Sequence, residues 1–154
     1  MVITSTATFY VVMLTAASHY AATHSPLLER PHICAILLHL KQQTLCAINV
    51  LLRSSPNQPT SDVVVAAVAK MASYEAMFGD AELFHMHMRG LRDMVRARGG
   101  LETLGLDGLL MRMVLWIDLN GSFLLNGRPY FRTSMPLAGH VALEPNPQGF
   151  LGAS

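Results

Sequence analysis

Two closely spaced histidines, His85 and His87, are the first residues in this chain that suggest a metal site. Residues two apart on a helix point about 200° away from each other, so they do not hold one ion as residues four apart do. His85 falls on the side of its segment that carries arginines, and His87 falls nearer the apolar side. We therefore expect no metal ion and no cofactor, with His85 solvated and His87 packed.

The two cysteines, Cys34 and Cys46, lie within one apolar periodic segment. A separation of twelve residues along a helix puts them roughly 18 Å apart, so they cannot form a disulfide with each other. In such a segment a cysteine behaves as a small hydrophobic residue, and inside a cell it stays reduced.

Two charged residues, Arg98 and Asp118, stand where the helical phase predicts an apolar environment. An unpaired charge in a protein core is costly. We expect either that Arg98 and Asp118 form an ion pair, or that Arg98 caps open carbonyl groups at the end of its own helix.

A third group of charges, Arg89, Arg92 and Arg96, clusters on one flank of a single segment. Such a flank can bind phosphate, an acidic partner or a membrane surface. The simplest interpretation, however, is a helix face in contact with solvent. The net charge of +1 with neutral histidines excludes the global attraction expected of a nucleic-acid binder. This basic interaction face predicts weak, non-specific attraction to DNA at most.

The sequence shows no arrangement of residues that predicts catalysis. No nucleophile has a histidine and an acid at a spacing that would activate it. The glycines at 99, 100, 105 and 108 lack the preceding strand and the Lys-Ser/Thr ending of a phosphate-binding loop, and we interpret them as helix ends. We expect that the protein is not an enzyme.

Apolar periodicity predicts an all-α fold of about five to six helices in an antiparallel array. The first helix ends before Pro26, and the second begins at Pro26 or Pro31. The inward stripes that we predict are Val11, Leu14, Ser18 and Ala21 on the first helix, and Ile33, Leu37, Leu40, Thr44, Ile48 and Leu51 on the second. Lys41, Gln42 and Gln43 mark the wet side of the second helix.

A tight connection at Gly79-Asp80 predicts a helical hairpin. Gly79 is expected to end the third helix, which begins at Asp62, in the left-handed conformation, and Asp80 to cap a fourth helix that ends near Arg98. The two helices must then pack antiparallel. Side chains expected to be buried between them are Met71, Phe78, Phe84 and Leu91.

The last predicted helix begins with Asp107 as its cap and ends at about Leu125. It is apolar nearly all round, which is typical of a central, buried helix, and we expect Trp116 in the core. Residues 1–130 are expected to form a single helical domain that is part of a larger unit. Residues 131–154, rich in Gly and Pro, are expected to be irregular and partly disordered.

An alternative interpretation rests on residues 2–22, which are long and apolar enough to suggest a membrane anchor or a secretory segment. No Lys or Arg precedes them and several Thr, Ser and His residues dilute them, so we favour a buried helix there.

Four stretches of the sequence together resemble the fungal-specific transcription factor domain. They are the run from Val68 to Asp80, the run from His85 to Leu101, the Leu-Gly-Leu-Asp-Gly-Leu-Leu that begins at Leu104, and the Trp-Ile-Asp that begins at Trp116. The series of glycines with a later Trp and Asp is the most specific element.

The resemblance extends roughly from Pro26 to Tyr130. In that family the helical region lies C-terminal to a zinc-cluster DNA-binding domain, which needs six closely spaced cysteines, and this chain has two. The resemblance therefore implies a regulatory or interaction module without its own DNA-binding domain, as a fragment, a truncated product or a stand-alone relative. It implies protein partners or an unknown small effector, no sequence-specific DNA binding by this chain alone, and a location in the nucleus or cytoplasm.

Overall fold

The computed structural model describes residues 5–24, 30–54 and 60–131, and in these residues all regular structure is helical. Five α-helices and one short 3-10 turn follow one another: α1 (Thr6–His24), α2 (Arg30–Ser54), α3 (Asp62–Phe78), α4 (Ala81–Arg98), the turn Leu101–Thr103, and α5 (Leu109–Leu124). The predicted all-α class is confirmed. The expected tail from residue 132 onward, the start at Pro26 and the proline-rich connection at 55–59 lie outside the described residues.

The central helix of the fold is α3, not α5 as the sequence suggested. Every residue from Val64 to Ala72 except Lys70 is buried. Helices α1, α2, α4 and α5 all pack against α3. Its alanines and valines are small enough to let neighbouring helices approach from several sides.

The expected hairpin of α3 and α4 is confirmed, and its connection differs in one respect. Asp80 caps α4 by accepting hydrogen bonds from the N–H groups of Glu82 (2.7 Å) and Leu83 (3.2 Å). Gly79, however, has φ −111° and is not left-handed. A Cβ at Gly79 would lie 1.8 Å from an oxygen of the Glu75 side chain, so this position requires a glycine because of close packing.

The apolar face of α4 is the best predicted part of the fold. Phe84, Met88, Leu91 and Val95 are all buried. Gly99 ends the helix with φ 107°, the left-handed conformation that its residue type favours. Met71 is buried as expected, but Phe78, at the last position of α3, is exposed.

Helix α5 begins one residue later than predicted and buries only one side. Asp107 has φ 51° and lies outside the helix, and Gly108 occupies the capping position. The buried side includes Leu110, Val114 and Ile117. Trp116 is half-buried against the core, which corrects the expectation that it is a core residue.

The predicted inward stripes of α1 and α2 are present. Val11, Leu14 and Ser18 of α1 are buried, as are Thr44 and Ile48 of α2, and the other members of the two predicted stripes are half-buried. The prediction that Lys41, Gln42 and Gln43 form the solvent-exposed side of α2 is partly wrong. Gln42 is exposed, but Lys41 and Gln43 are half-buried.

Candidate interaction surface

The three arginines of the predicted basic face lie side by side on the outside of α4. Arg89, Arg92 and Arg96 are all exposed. Arg92 Nη2 lies 3.2 Å from Asp93 Oδ1, and both side chains are largely in water, where such a pair adds little stability. The arginines thus occupy a rigid helix and remain available, and the binding role of this face stays a prediction.

The predicted ion pair between Arg98 and Asp118 is wrong. Arg98 Nη1 lies 2.5 Å from Asp62 Oδ1. The guanidinium also donates to the carbonyl oxygens of Thr60 (2.9 Å) and Thr103 (2.8 Å). The second expectation, that Arg98 caps open carbonyls, holds in a modified form, because the carbonyls belong to neighbouring turns.

Arg98 and Asp62 therefore tie three chain segments together at one end of the helical array. Asp62 Oδ1 also accepts a hydrogen bond from the Gly105 N–H at 3.2 Å. A Cβ at Gly105 would lie 2.1 Å from Asp62 Oδ2, so a larger residue there would displace the Asp62 carboxylate. The cluster stabilises the start of α3, the end of α4 and the turn before α5.

Instead of pairing with Arg98, the Asp118 side chain binds the backbone of the segment that follows α5. Its side chain is buried, and its two oxygens accept the N–H groups of Tyr130 (2.9 Å) and Phe131 (2.8 Å). Burial raises the pKa of Asp118 above its ordinary value of 3.8, and these two hydrogen bonds partly counteract it. The buried carboxylate is satisfied by backbone donors, so it needs no cation.

The two histidines of α4 do not behave as a pair. His85, expected to be solvated, is half-buried, and its Nδ1 lies 2.8 Å from the hydroxyl of Tyr130. His87, expected to be packed, is half-buried as well, and burial lowers its pKa below the ordinary 6.5. The nearby Glu75 carboxylate opposes this shift and Lys41 adds to it. No group of three potential metal ligands occurs among the described residues.

A buried charge pair between α2 and α3 was missed by the sequence reasoning. Lys41 Nζ lies 2.8 Å from Glu75 Oε1 and 3.1 Å from Oε2, and Oε2 also accepts the N–H of Asp80 at 3.1 Å. The Glu75 side chain is only 1% exposed, whereas that of Lys41 is 23% exposed. The signal was available, because Glu75 is a carboxylate in the apolar second half of α3, as Asp118 is in α5.

Three helices, α1, α2 and α5, each carry several exposed apolar side chains, and those of α2 are Ile36, Leu38 and Val50. On α1 these are Phe9, Val12, Met13 and Tyr20, and on α5 they are Leu109, Leu119, Phe123 and Leu124. Phe9 is 61% exposed and Phe123 is 59% exposed. We call these the α1 face and the α5 face. Scattered apolar residues are ordinary on a surface, but rows along a helix are typical of a contact with another molecule.

A groove lies between α3 and α5 at the edge of the α5 face. The residues that line it include Ala76, Met77, Trp116, Asn120 and Leu124. The enclosed volume is about 30 Å³. Binding sites for drug-sized ligands typically measure about 300 to 1,000 Å³, so this groove accommodates one side-chain tip.

Both cysteines lie on the outside of α2, which corrects the expectation that they pack as small hydrophobic residues. Cys34 and Cys46 are free and exposed. Within the described chain, the helix with the length and composition to cross a membrane is Pro31–Ser54, and 11% of its apolar 18-residue window is buried. This is not the 2–22 segment on which the membrane alternative was based.

Comparisons with known proteins gave one finding. Neither a search of curated proteins nor a search of solved structures produced a match. The model of the fungal specific transcription factor domain, in contrast, matches residues 1–144, and on this basis the chain belongs to that family.

Proposed function

We propose that this chain is a transcription-regulatory module that acts by binding other proteins, and that by itself it neither reads a DNA sequence nor catalyses a reaction. Membership of the family indicates a regulatory role, and the family is not one of enzymes. The observation that carries the proposal is the exposure of apolar rows on the α1 and α5 faces.

The α1 face supports protein contacts because it has no charge to keep it in water. The sequence of α1 contains no Asp, Glu, Lys or Arg. Phe9, Met13 and Tyr20 recur at a spacing of about one or two helical turns, so they form one continuous row. Large aromatic side chains and methionine are the residues enriched in protein interfaces.

The charge distribution argues against sequence-specific DNA binding. Arg89, Arg92 and Arg96 span two turns of α4 and can neutralise about three phosphates, which supports only salt-sensitive, non-specific attraction. The zinc cluster that gives members of the family their DNA-binding domain requires six cysteines, and the two present here both lie on α2.

A small effector is the less favoured of the two classes of partner. The groove between α3 and α5 holds about 30 Å³, which is too small to enclose a drug-sized molecule. Protein partners make use of flatter apolar faces of the kind seen on α1 and α5. We place such a regulator in the nucleus.

The test is a reporter assay with the full chain fused to a heterologous DNA-binding domain. We expect the fusion to change transcription, and Phe9→Asp with Tyr20→Asp, or Leu119→Asp with Phe123→Asp, to abolish the change. Met86→Asp is the matched control, since Met86 is a similarly exposed apolar residue on α4. No effect of the fusion, or equal effects of all variants at equal protein levels, would contradict the proposal.

DNA recognition is tested by a salt titration of binding to a random duplex and to a sequence pool enriched by selection. We expect weak binding without sequence preference, and a steep loss as salt rises. Tight binding to one sequence at physiological salt would overturn this part of the proposal.

A further inference from the structure

We propose that the outer side of α5, together with the adjoining edge of α3, binds a helix of a partner protein that has an apolar face and acidic residues at one end. The proposal rests on the proposed function, because it gives one of the protein contacts a defined chemistry. Its evidence is a pair of neighbouring rows of side chains, one on each helix, that both begin with an unpaired cation.

The first row lies along the outer side of α5. Arg112, Leu119 and Phe123 follow one another at spacings of seven and four residues, which places them on one side of a helix, and all three are exposed. Trp116 lies in the same row and is half-buried. No described helix covers this side of α5. The row therefore offers a cation at its start and an apolar surface beyond it.

The second row lies along the edge of α3 that adjoins α5. Lys70, Ser73 and Met77 follow one another at spacings of three and four residues on one side of α3. Lys70 and Ser73 are half-buried, and Met77 is exposed. Ser73 and Met77 also line the groove between the two helices. This row, like that of α5, begins with a cation and ends with a large apolar side chain.

The two cations lie at the same end of the shared surface. Asp62, at the start of α3, accepts a hydrogen bond from Gly105, just before α5, and the groove lies near the ends of both helices. The helices α3 and α5 therefore run in the same direction. Lys70 and Arg112 each lie about one turn before the residues of their helix that line the groove. One end of the surface is thus cationic, and the remainder is apolar.

Neither cation has a counter-ion among the described residues, where the ion pairs join other groups. Asp107, the acid nearest to Arg112 along the chain, does not pair with it. Because Lys70 is half-buried, part of its long side chain is already packed, and less conformational entropy is lost when its ammonium group binds a carboxylate. A carboxylate of the partner supplies the missing charge, which an uncharged or basic partner does not.

The surroundings of the two rows favour a helix over an extended segment. All regular structure in the described residues is helical, so an extended peptide finds no strand edge there to pair with its backbone N–H and C=O groups. A helix satisfies these groups internally and packs its side chains between those of α5. Arg112 and Phe123 lie about 16 Å apart along the axis of α5, so about three turns of a partner helix cover the row.

A second copy of this chain does not supply such a helix from its described residues. Helices α1 and α2, which also carry several exposed apolar side chains, contain no Asp or Glu. The acids of α3 and α5 already bind groups of their own chain. On α4, which contains Glu82 and Asp93, the exposed large apolar residue is Met86, and one such residue does not form an apolar face. The partner is therefore a different protein.

The test uses stapled helical peptides of about four turns, each with one row of leucines and a pair of Glu, Gln or Lys residues in an end turn. The pair is placed in the first or in the last turn, so that both orientations of the peptide are covered. Binding to the full chain is followed by fluorescence anisotropy.

We expect the Glu peptide to bind about fivefold more tightly than the Gln peptide in its better orientation, the gain of two surface ion pairs. The Lys peptide should bind most weakly, and the preference for Glu should fall as salt rises. Equal affinities of the three peptides, or no binding by any of them, would overturn the proposal.

Charge reversal then locates the site. Lys70→Glu with Arg112→Glu should reverse the preference, so that the Lys peptide binds best. The matched control is Arg89→Glu with Arg96→Glu on the exposed side of α4, which should leave the preference for the Glu peptide unchanged. A preference for the Glu peptide that survives the reversal at Lys70 and Arg112 in a folded protein contradicts the assigned site.

Two further variants cover the remaining outcomes. Arg112 is exposed, so Arg112→Glu alone should fold even if the double reversal does not, and an unchanged preference for the Glu peptide in it would contradict the site. Leu119→Asp with Phe123→Asp should abolish binding of all the peptides. Sedimentation of the full chain tests a second copy as the occupant, and self-association that the Leu119 and Phe123 variant abolishes would overturn the proposal.

The outcome is distinguishable from that of the proposed function. If the peptides bind without regard to charge while Leu119→Asp with Phe123→Asp still abolishes reporter activity, the acidic partner class fails and the proposed function stands. If the reporter does not respond but the peptides discriminate by charge, the surface binds an acidic helix and the regulatory role fails.

Discussion

The helices α3 and α5 both consist largely of apolar residues, yet they differ in how completely they are buried. Helix α3 is enclosed along most of its length, whereas α5 buries one side and exposes Leu109, Leu119 and Phe123. The difference lies in side-chain size. The alanines and valines of α3 let other helices approach closely from several sides, whereas the outer side of α5 carries large side chains that no described helix covers.

Each of the two helices also buries one carboxylate, and again the surroundings differ. Glu75 of α3 faces the Lys41 ammonium group of α2, while Asp118 of α5 accepts two backbone N–H groups. The buried carboxylate of α3 is thus paired with a side chain of another helix. The buried carboxylate of α5 instead binds the backbone of the segment that follows α5.

The largest effect is expected from shortening a side chain in the enclosed helix. Met71 is 0% exposed, so Met71→Ala should leave a cavity and lower the free energy of unfolding by about 2 to 5 kcal/mol. The measurement is urea unfolding of the variant and the parent chain. A loss below about 1 kcal/mol would show that α3 is not tightly enclosed.

The charge pair of α3 gives the next largest effect. Lys41→Met leaves Glu75 buried beside no cation, and we expect a loss of about 3 kcal/mol, near the lower limit for such pairs because Lys41 is partly in water. The double variant Lys41→Met with Glu75→Gln should recover most of this loss. Its neutral amide removes the stranded charge and keeps an acceptor for the Asp80 N–H. Double and single variants of equal stability would contradict the assignment.

We expect the buried Asp118 carboxyl group of α5 to make the free energy of unfolding depend on pH. Its folded-state pKa is raised, so the folded protein keeps this proton to higher pH than the unfolded chain does. Its contribution to stability therefore falls as pH rises from 3.8 through the folded-state pKa. Asp118→Asn does not titrate, and at neutral pH its lost acceptor should cost about 1 kcal/mol.

The measurement for Asp118 is the difference in unfolding free energy between the parent chain and Asp118→Asn across pH 3 to 7. We expect the advantage of the parent to shrink as pH rises through the titration, to the difference of about 1 kcal/mol expected at neutral pH. Taking the difference cancels the effect of His87, whose lowered pKa makes stability fall as pH drops below 6.5. A difference that grows with pH would contradict the raised pKa.

The smallest effect is expected on the outer side of α5. Phe123 is 59% exposed, so Phe123→Ala should change the free energy of unfolding by less than about 0.5 kcal/mol. Thermal unfolding of the isolated chain is the measurement. A loss comparable to that of Met71→Ala would mean that the α5 face is packed in the isolated chain, and the contrast between the two helices would disappear.

Much of the fold could be predicted because helix ends and amphipathic faces are local properties. The Asp80 cap, the helix end at Gly99 and the buried row that contains Phe84 and Leu91 each follow from a few neighbouring residues. The family could be predicted as well, and the match to residues 1–144 is longer than the stretch indicated by the motifs. The division into residues 1–130 and a tail stays a prediction.

The candidate surface could be predicted only in part. The arginines at 89, 92 and 96 were placed outward correctly, since one helix face decides their exposure. Arg98, Asp118 and Glu75 have partners in distant parts of the chain. The position of a residue around its own helix does not predict such partners. The cationic ends of the rows on α3 and α5 come together only when these two helices pack side by side.

The sequence by itself determined the helices, most of their inward faces and the family, because hydrogen bonding along a helix and the periodicity of apolar residues act over short distances. Only the tertiary structure decided which apolar helix lies at the centre and which buried charge meets which partner. Those outcomes depend on side-chain size and on contacts between residues such as Lys41 and Glu75, which are 34 positions apart. Burial is set by how closely whole helices approach one another, and no single segment contains that information.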